Sequence, residues 1–201
     1  MRKIVILTFM TLDGVMQAPG GEGEDPSGGF DHEGWVMPYL DEAGLEEMDR
    51  QMSVPFDLLL GRKTYDIFAG YWPSHPDDGA GLNAAVKYVA TRGGARDKWD
   101  KTVFLTGDTA EKIKSLKLQD GPMLQVHGSG ELIQTLLKHD LADELWLKIF
   151  PIVLGKGKRL FQPGIIPSAF RLTQQSLTPS GVILARYERA GQVKLAAHKG
   201  W

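Results

Sequence analysis

Leu58-Leu59-Leu60-Gly61-Arg62-Lys63-Thr64-Tyr65 and, sixty residues on, Leu124-Gln125-Val126-His127-Gly128-Ser129-Gly130-Glu131-Leu132 decide how this chain folds. Each runs an apolar strand into a glycine turn that opens a helix. The first N–H groups of a helix have no partner within it, and the dipole behind them favours an anion. Two such junctions in one small domain point to a dinucleotide held by its phosphates. Each junction taken singly is equally an ordinary tight turn, with Arg62 and Lys63 a solvated helix start and Ser129 an N-cap.

Working outward, residues 56–60 form a short, fully apolar strand of the kind buried in a parallel sheet, and the helix after it covers 63–69. Residues 87–92 and Thr102–Leu105 read as further strands. Asp108-Thr109-Ala110-Glu111 is a capping box for a helix ending near Leu116. The strand Met123–Val126 feeds the second junction, and Leu132, Ile133, Leu136 and Leu137 give its helix a compact apolar face. Residues 145–152 make another strand. Residues 170–177 and 182–188, joined by Thr178-Pro179-Ser180-Gly181, pair as an antiparallel hairpin.

Toward the N-terminus, residues 4–10 are a buried first strand. Pro38 opens a helix whose buried face is Leu45, Met48 and Met52, ending near Pro55. Between them lies a long, Gly-rich and acidic segment, 17–34. A loop of that length is either a floppy surface excursion or a lid over a site. The expected fold is α/β: a mixed, mostly parallel sheet flanked by helices and closed by the hairpin. One domain over 1–190 and a loose tail over 191–201 account for the chain.

Composition narrows the function. The 201 residues are 42% hydrophobic and 24% charged, with a net charge of −2 and no cysteine. Disulfides, thiolate metal sites and thiol nucleophiles are excluded. Lys and Arg form no stripe, so a nucleic-acid partner is not expected, and no apolar run approaches the ~20 residues of a membrane span. The expected setting is the cytoplasm. Asp31-His32-Glu33 are adjacent loop positions that converge poorly on one ion, so no metal site is expected.

The ordered elements resemble the dihydrofolate reductase fold, and more closely the reductase domain of the bifunctional riboflavin-biosynthesis deaminase-reductase, in its small stand-alone members. Thr11-Leu12-Asp13-Gly14 is similar to that domain's entry motif. Leu141-Ala142-Asp143-Glu144-Leu145, Ile149, Pro151, Val153-Leu154-Gly155, Gly157 and Leu160-Phe161 are similar to its later signature. The resemblance runs from Arg2 to about Arg189.

It implies NADPH gripped at two places. Gly61, Arg62, Lys63 and Thr64 match the first grip, Thr91 and Arg92 the region that meets the adenosine 2′-phosphate, and Gly128, Ser129, Gly130, Glu131 and Leu132 the pyrophosphate turn. Arginine's planar fork suits phosphate oxygens, and glycine lets backbone N–H groups come close.

Asp13 is the candidate catalytic group, with a turn residue as its other reading. Trp35 would cover a flat heterocycle or else sit in the core. The acid that holds the pterin in true dihydrofolate reductases falls near Leu45, with Asp41, Glu42 and Glu46 close by, so dihydrofolate is a poor substrate guess. The implied activity is reduction of a small planar heterocycle of pyrimidine, pteridine or flavin-precursor type by a homodimer, with Trp146 and 145–152 one choice of interface. The alternative is a nucleotide-binding or sensing protein without turnover.

Overall fold

The computed structural model describes residues 1–93 and 99–195. Eight strands form one sheet in the order β4-β3-β2-β5-β1-β6-β8-β7. They are β1 (Ile4–Thr11), β2 (Phe56–Gly61), β3 (Lys87–Ala90), β4 (Thr102–Leu105), β5 (Met123–Val126), β6 (Glu144–Phe150), β7 (Ala169–Leu177) and β8 (Ile183–Gly191). All neighbours from β4 to β6 are parallel, while β8 is antiparallel to both β6 and β7. The expected mixed sheet with its closing hairpin is therefore present. The hairpin turn closes through Thr178 and Gly181, the latter at φ +84°.

Among the described residues, five α-helices accompany the sheet: α1 (Glu42–Met52), α2 (Arg62–Tyr71), α3 (Ala80–Ala84), α4 (Thr109–Lys117) and α5 (Gly130–Lys138). β1 is buried at every position but Phe9 and β2 at every position, mostly through apolar side chains, as expected of strands covered on both faces. Ile4, Ile6 and Leu59 point into a core shared with Ile113 and Leu116 of α4 and Leu132, Ile133 and Leu136 of α5. Leu58 and Leu60 point the other way, onto Tyr65 and Leu82. Each such side chain is fully buried, worth about 1.5–3 kcal/mol of transfer free energy.

Chain direction locates the site. After β4 the chain returns from the sheet edge and inserts β5 between β2 and β1. Crevices form beyond the carboxyl ends of strands where such a reversal occurs. The two glycine junctions leave β2 and β5 at that end.

Several expectations change. Pro38 belongs to a short 3-10 turn, Met37–Tyr39, and α1 starts later, at Asp41, whose side chain accepts from the Gly44 N–H at 2.9 Å. Its other oxygen accepts from the Ser180 N–H at 2.9 Å, tying α1 to the hairpin turn. These amide hydrogen bonds, Gly44's first, hold the Asp41 carboxyl at about 2. The buried face of α1 is Gly44, Glu47 and Gln51, while Leu45 is exposed. Trp146 is buried within the chain under the Arg186 guanidinium, 4.1 Å from its ring, and β6 is an interior strand. The expected tail begins as the last residue of β8, and its residues 196–201 lie outside the described residues.

Candidate functional site

The two junctions meet. Gly61 ends β2 and is the N-cap position of α2, and Ser129 is the N-cap position of α5. The Gly61 N–H donates to the Gly128 carbonyl at 3.1 Å. A Cβ on Gly61 would fall 1.9 Å from Ser129 Oγ, and one on Gly128 would fall 2.5 Å from Thr64 Oγ1. Gly128 also sits at φ +154°, and its peptide bond to Ser129 is cis. Only glycine fits at either place.

The Ser129 hydroxyl makes no capping bond to its own helix. Two helix N-termini thus lie side by side, each presenting first-turn N–H groups, from residues 62–64 and 130–132. They border a cavity of about 1300 Å³, lined by every residue expected at the cofactor: Gly61, Arg62, Lys63, Thr64, Thr91, Arg92, Gly128, Ser129, Gly130, Glu131 and Leu132. Sites for single drug-sized ligands are usually ~300–1,000 Å³. This one has room for a dinucleotide and a second small molecule.

Arg62, Lys63 and Lys158 beside the cradle are already engaged. Arg62 Nε donates to both Asp66 oxygens at 2.7 and 2.8 Å, one turn along α2. Lys63 Nζ reaches Asp25 Oδ1 at 3.0 Å, a bond that raises the lysine's pKa. Asp25 also receives Lys158 Nζ, and Ser27 Oγ at 2.6 Å. Burial pushes the Asp25 carboxyl up, but the hydrogen bonds from Lys158, Ser27 and Lys63 outweigh it and hold the group well below the usual carboxylate range.

Asp25 belongs to the long loop, which is built rather than floppy. Gln17 Nε2 donates to the Asp25 and Ser27 carbonyls at 2.8 and 2.9 Å. Glu33 accepts from the Gly23 and Asp25 amides at 2.9 and 2.8 Å, so its carboxylate faces inward to its own loop. Residues 16–25 form one wall of the cavity, with Asp25 bridging from Lys158 to α2. The loop is a strap across the site. Asp25→Asn is expected to release it, seen as faster amide hydrogen exchange in 17–34 with β1 and β5 unchanged. The depressed Asp25 pKa works in one direction: its contribution is present above the unfolded value near ~3.9 and fades as pH falls toward the folded one.

Asp13 and Trp35 are not brought to the cavity. Asp13 Oδ1 accepts from Thr11 Oγ1 at 2.6 Å and the Leu154 amide at 3.2 Å, and Oδ2 from the Gly155 amide at 2.9 Å and Arg159 at 3.3 Å. Burial raises its pKa, but these bonds together outweigh burial and bring it down to about 2. Such a carboxylate organises a turn and is a poor proton donor near neutral pH. Trp35 is buried, donates Nε1–H to the Gln17 carbonyl at 2.8 Å and packs edge-on against Phe150. It anchors the strap from beneath.

A polar network unforeseen in the sequence lies under the cavity floor. Glu47 Oε1 accepts from Arg186 Nη2 and from Gln51 Nε2, both at 2.8 Å, and Lys148 Nζ donates to Gln51 Oε1 at 2.6 Å. Gln125 Nε2 donates to the Gln51 carbonyl at 2.8 Å, and its Oε1 meets His127 Nε2 at 3.2 Å. The Lys148 ammonium lies 5.0 Å from the Phe9 ring, and Phe9 lines the cavity.

Burial lowers the Lys148 pKa to about 8, with Glu47 opposing and Arg186 adding to the effect. The unfolded chain keeps that proton to ~10.4, so between about 8 and 10.4 it binds more protons and stability rises with pH. Lys148→Met is expected to flatten that rise in urea midpoints measured across the window. The signal for this network was Lys148 and Gln125 standing alone in apolar strands, since a buried polar group needs a partner.

Fold and cradle together define an α/β domain of dihydrofolate reductase type. Residues 2–184 match the RibD C-terminal domain model, and the chain belongs to that family. It is 29% identical over 167 residues to the uncharacterized protein YyaP of Bacillus subtilis (strain 168), covering 80% of each chain. A solved Shewanella sp. PV-4 protein named for riboflavin biosynthesis superposes at TM-score 0.65 with 22% identity, over 93% of this chain and 98% of that one. Dihydrofolate reductase from Enterococcus faecalis, complexed with NADP(H), superposes at 0.56 with 12% identity, over 94% and 96%. No helix among the described residues is long and apolar enough to cross a membrane.

Proposed function

We propose that the protein is an NADPH-dependent oxidoreductase, cytoplasmic and homodimeric, that reduces a small planar heterocycle of pyrimidine, pteridine or flavin-precursor type. The observation that carries this reading is the contact of two helix N-termini through Gly61 and Gly128 at the edge of one large cavity. The residues there fit a dinucleotide. Backbone N–H groups of 62–64 and 130–132 would take phosphate oxygens, with Lys63, Lys158 and Arg92 as nearby charge. The bound cofactor would supply the hydride.

The chain's own parts do the rest. Apolar side chains of α1 and α2 pack the acceptor ring, and the strap over residues 16–25 excludes water from the reacting atoms. Arg62→Ala is expected to weaken NADPH binding by about 1–3 kcal/mol, the scale of a charge-assisted hydrogen bond. Unchanged affinity on calorimetric titration would remove Arg62 from the site.

A second reading, nucleotide binding without turnover, draws on the placement of Asp13, which leaves the cavity without its expected acid. Absorbance of NADPH in the presence of pterins, flavins and pyrimidines separates the two. Steady oxidation with at least one acceptor supports the reductase, whereas tight binding with no oxidation across the panel supports the second reading. Failure to bind NADPH at millimolar concentration contradicts both.

A further inference from the structure

The cavity has two chemically different parts. Near the glycine cradle its lining includes the cations Arg62, Lys63, Arg92 and Lys158, alongside the acids Asp25 and Glu131. Between α1, α2 and α3 it is lined by Met48, Met52, Ile67, Phe68, Trp72 and Leu82, and the charged described residues there are Asp49 and Asp78. With apolar walls, two carboxylates and no cation among its described lining residues, that part disfavours a phosphate-bearing ligand. His127 stands between the two, directly before Gly128 in the chain and with its ring 6.0 Å from that of Phe68.

The tautomer of His127 follows from its neighbours. Gln125 is fully buried and must turn its amide nitrogen to the Gln51 carbonyl, because the opposite orientation would set two oxygens together. Its oxygen then faces His127 Nε2, which has to be the donor. Burial, with Lys148 adding to it, lowers the imidazole pKa to about 3, so the ring is neutral near pH 7 and Nδ1 carries a lone pair. Nδ1 has no partner among the described residues and is not sealed in, since the sealed side-chain atoms without a partner are Gln134 Oε1 and Arg186 Nε. His127 lines the cavity, and with Nε2 turned to Gln125 the atom left for a ligand there is Nδ1.

We propose that His127 is the specificity-determining acceptor of this site, its Nδ1 taking a hydrogen bond from the lactam or imide N–H of an uncharged, phosphate-free heterocycle held against Phe68 and Met52. The inference rests on the reductase reading and names its substrate class. A ring alkylated on nitrogen would leave a desolvated Nδ1 without a donor, and a site built to pair such a group rejects the analogue that lacks it.

The test uses full-length protein with ¹⁵N-labelled histidine, saturated with NADP⁺ to prevent turnover, and long-range ¹H–¹⁵N spectra. The probes are pteridine-2,4-dione and its 1,3-dimethyl derivative. The expected result is the Nε2–H tautomer before addition, a shift of Nδ1 with the parent ring, and at least about tenfold weaker binding of the dimethyl ring, the scale of one unpaired polar group. His127→Asn, which can place an oxygen where Nδ1 stood, keeps the discrimination, and His127→Gln loses it.

An Nδ1–H or doubly protonated ring, an Nδ1 signal unmoved by the parent ring, or equal responses to both rings overturns the proposal. So does a shift produced by NADP⁺ alone with no further change, which would assign His127 to the cofactor. Absence of NADP⁺ binding contradicts the reductase reading instead, and the tautomer and the response to the two rings remain readable without it.

Discussion

Gly61→Ala is expected to weaken NADPH binding by at least about tenfold and to lower stability by about 1–3 kcal/mol, the usual cost of overpacking a filled site. The backbone at Gly61 is ordinary, at φ −76° and ψ 158°, so the penalty comes from space. A Cβ there lies 1.9 Å from Ser129 Oγ and 3.0 Å from both Ser129 Cβ and Ser129 N. Rotating the hydroxyl relieves the first contact only. The second junction must then move away from the first, and the two sets of N–H groups no longer address one ligand. Ser129→Gly in the Gly61→Ala background removes the Oγ and Cβ and is expected to restore part of the affinity, the coupling of neighbours in a double-mutant cycle. Additive effects of the two substitutions would show that the junctions act separately.

Glu47→Ala is expected to cost about 3–5 kcal/mol, the range for removing one partner of a buried ion pair. Glu47 is 3% exposed and is the carboxylate that faces Arg186, with Arg50 at its other oxygen. Burial pushes its pKa up, but the hydrogen bonds from Arg186 and Gln51 and the charges of Arg186 and Arg50 lower it on balance. Without it, Arg186 and Lys148 are left as two cations under the cavity floor. The stabilisation is present above the unfolded Glu value near ~4.3 and is lost as pH falls through the folded one. Urea unfolding at neutral pH measures the loss, and Glu47→Met with Arg186→Met is expected to recover much of it by replacing the pair with apolar volume. A single substitution costing under about 0.5 kcal/mol, the scale of an ordinary surface change, would contradict the network's role.

The sheet and the cradle were legible because their signals are local. An apolar strand ending in glycine before a helix is written in consecutive residues at 58–64 and 124–132, and the hairpin announces itself at Thr178-Pro179-Ser180-Gly181. The buried face of α1 was misread because Leu45, Met48 and Met52 repeat at helical spacing as well as Gly44, Glu47 and Gln51 do. Hydrophobicity favours the first set. What selects the second is Lys148 and Arg186, about a hundred residues away or more, which need the carboxylate and the amide.

The placement of Asp13 was hidden for a related reason. An Asp before Gly14 serves a turn or a pocket equally well, and Leu154, Gly155 and Arg159 decide the matter from across the chain. Composition leaves the loop over 17–34 as either a floppy excursion or a lid, and the anchor at Asp25 comes from Lys158 and Lys63, distant in sequence.

In the proposed function the two glycine junctions are one dinucleotide grip. An NADPH titration followed by ¹H–¹⁵N correlation spectra of the backbone tests it most directly. Amides of residues 61–64 and 128–132 are expected to shift together and saturate with a single dissociation constant, while those of the β7–β8 hairpin stay in place. Shifts confined to one junction, or to neither while NADPH binds, would contradict it.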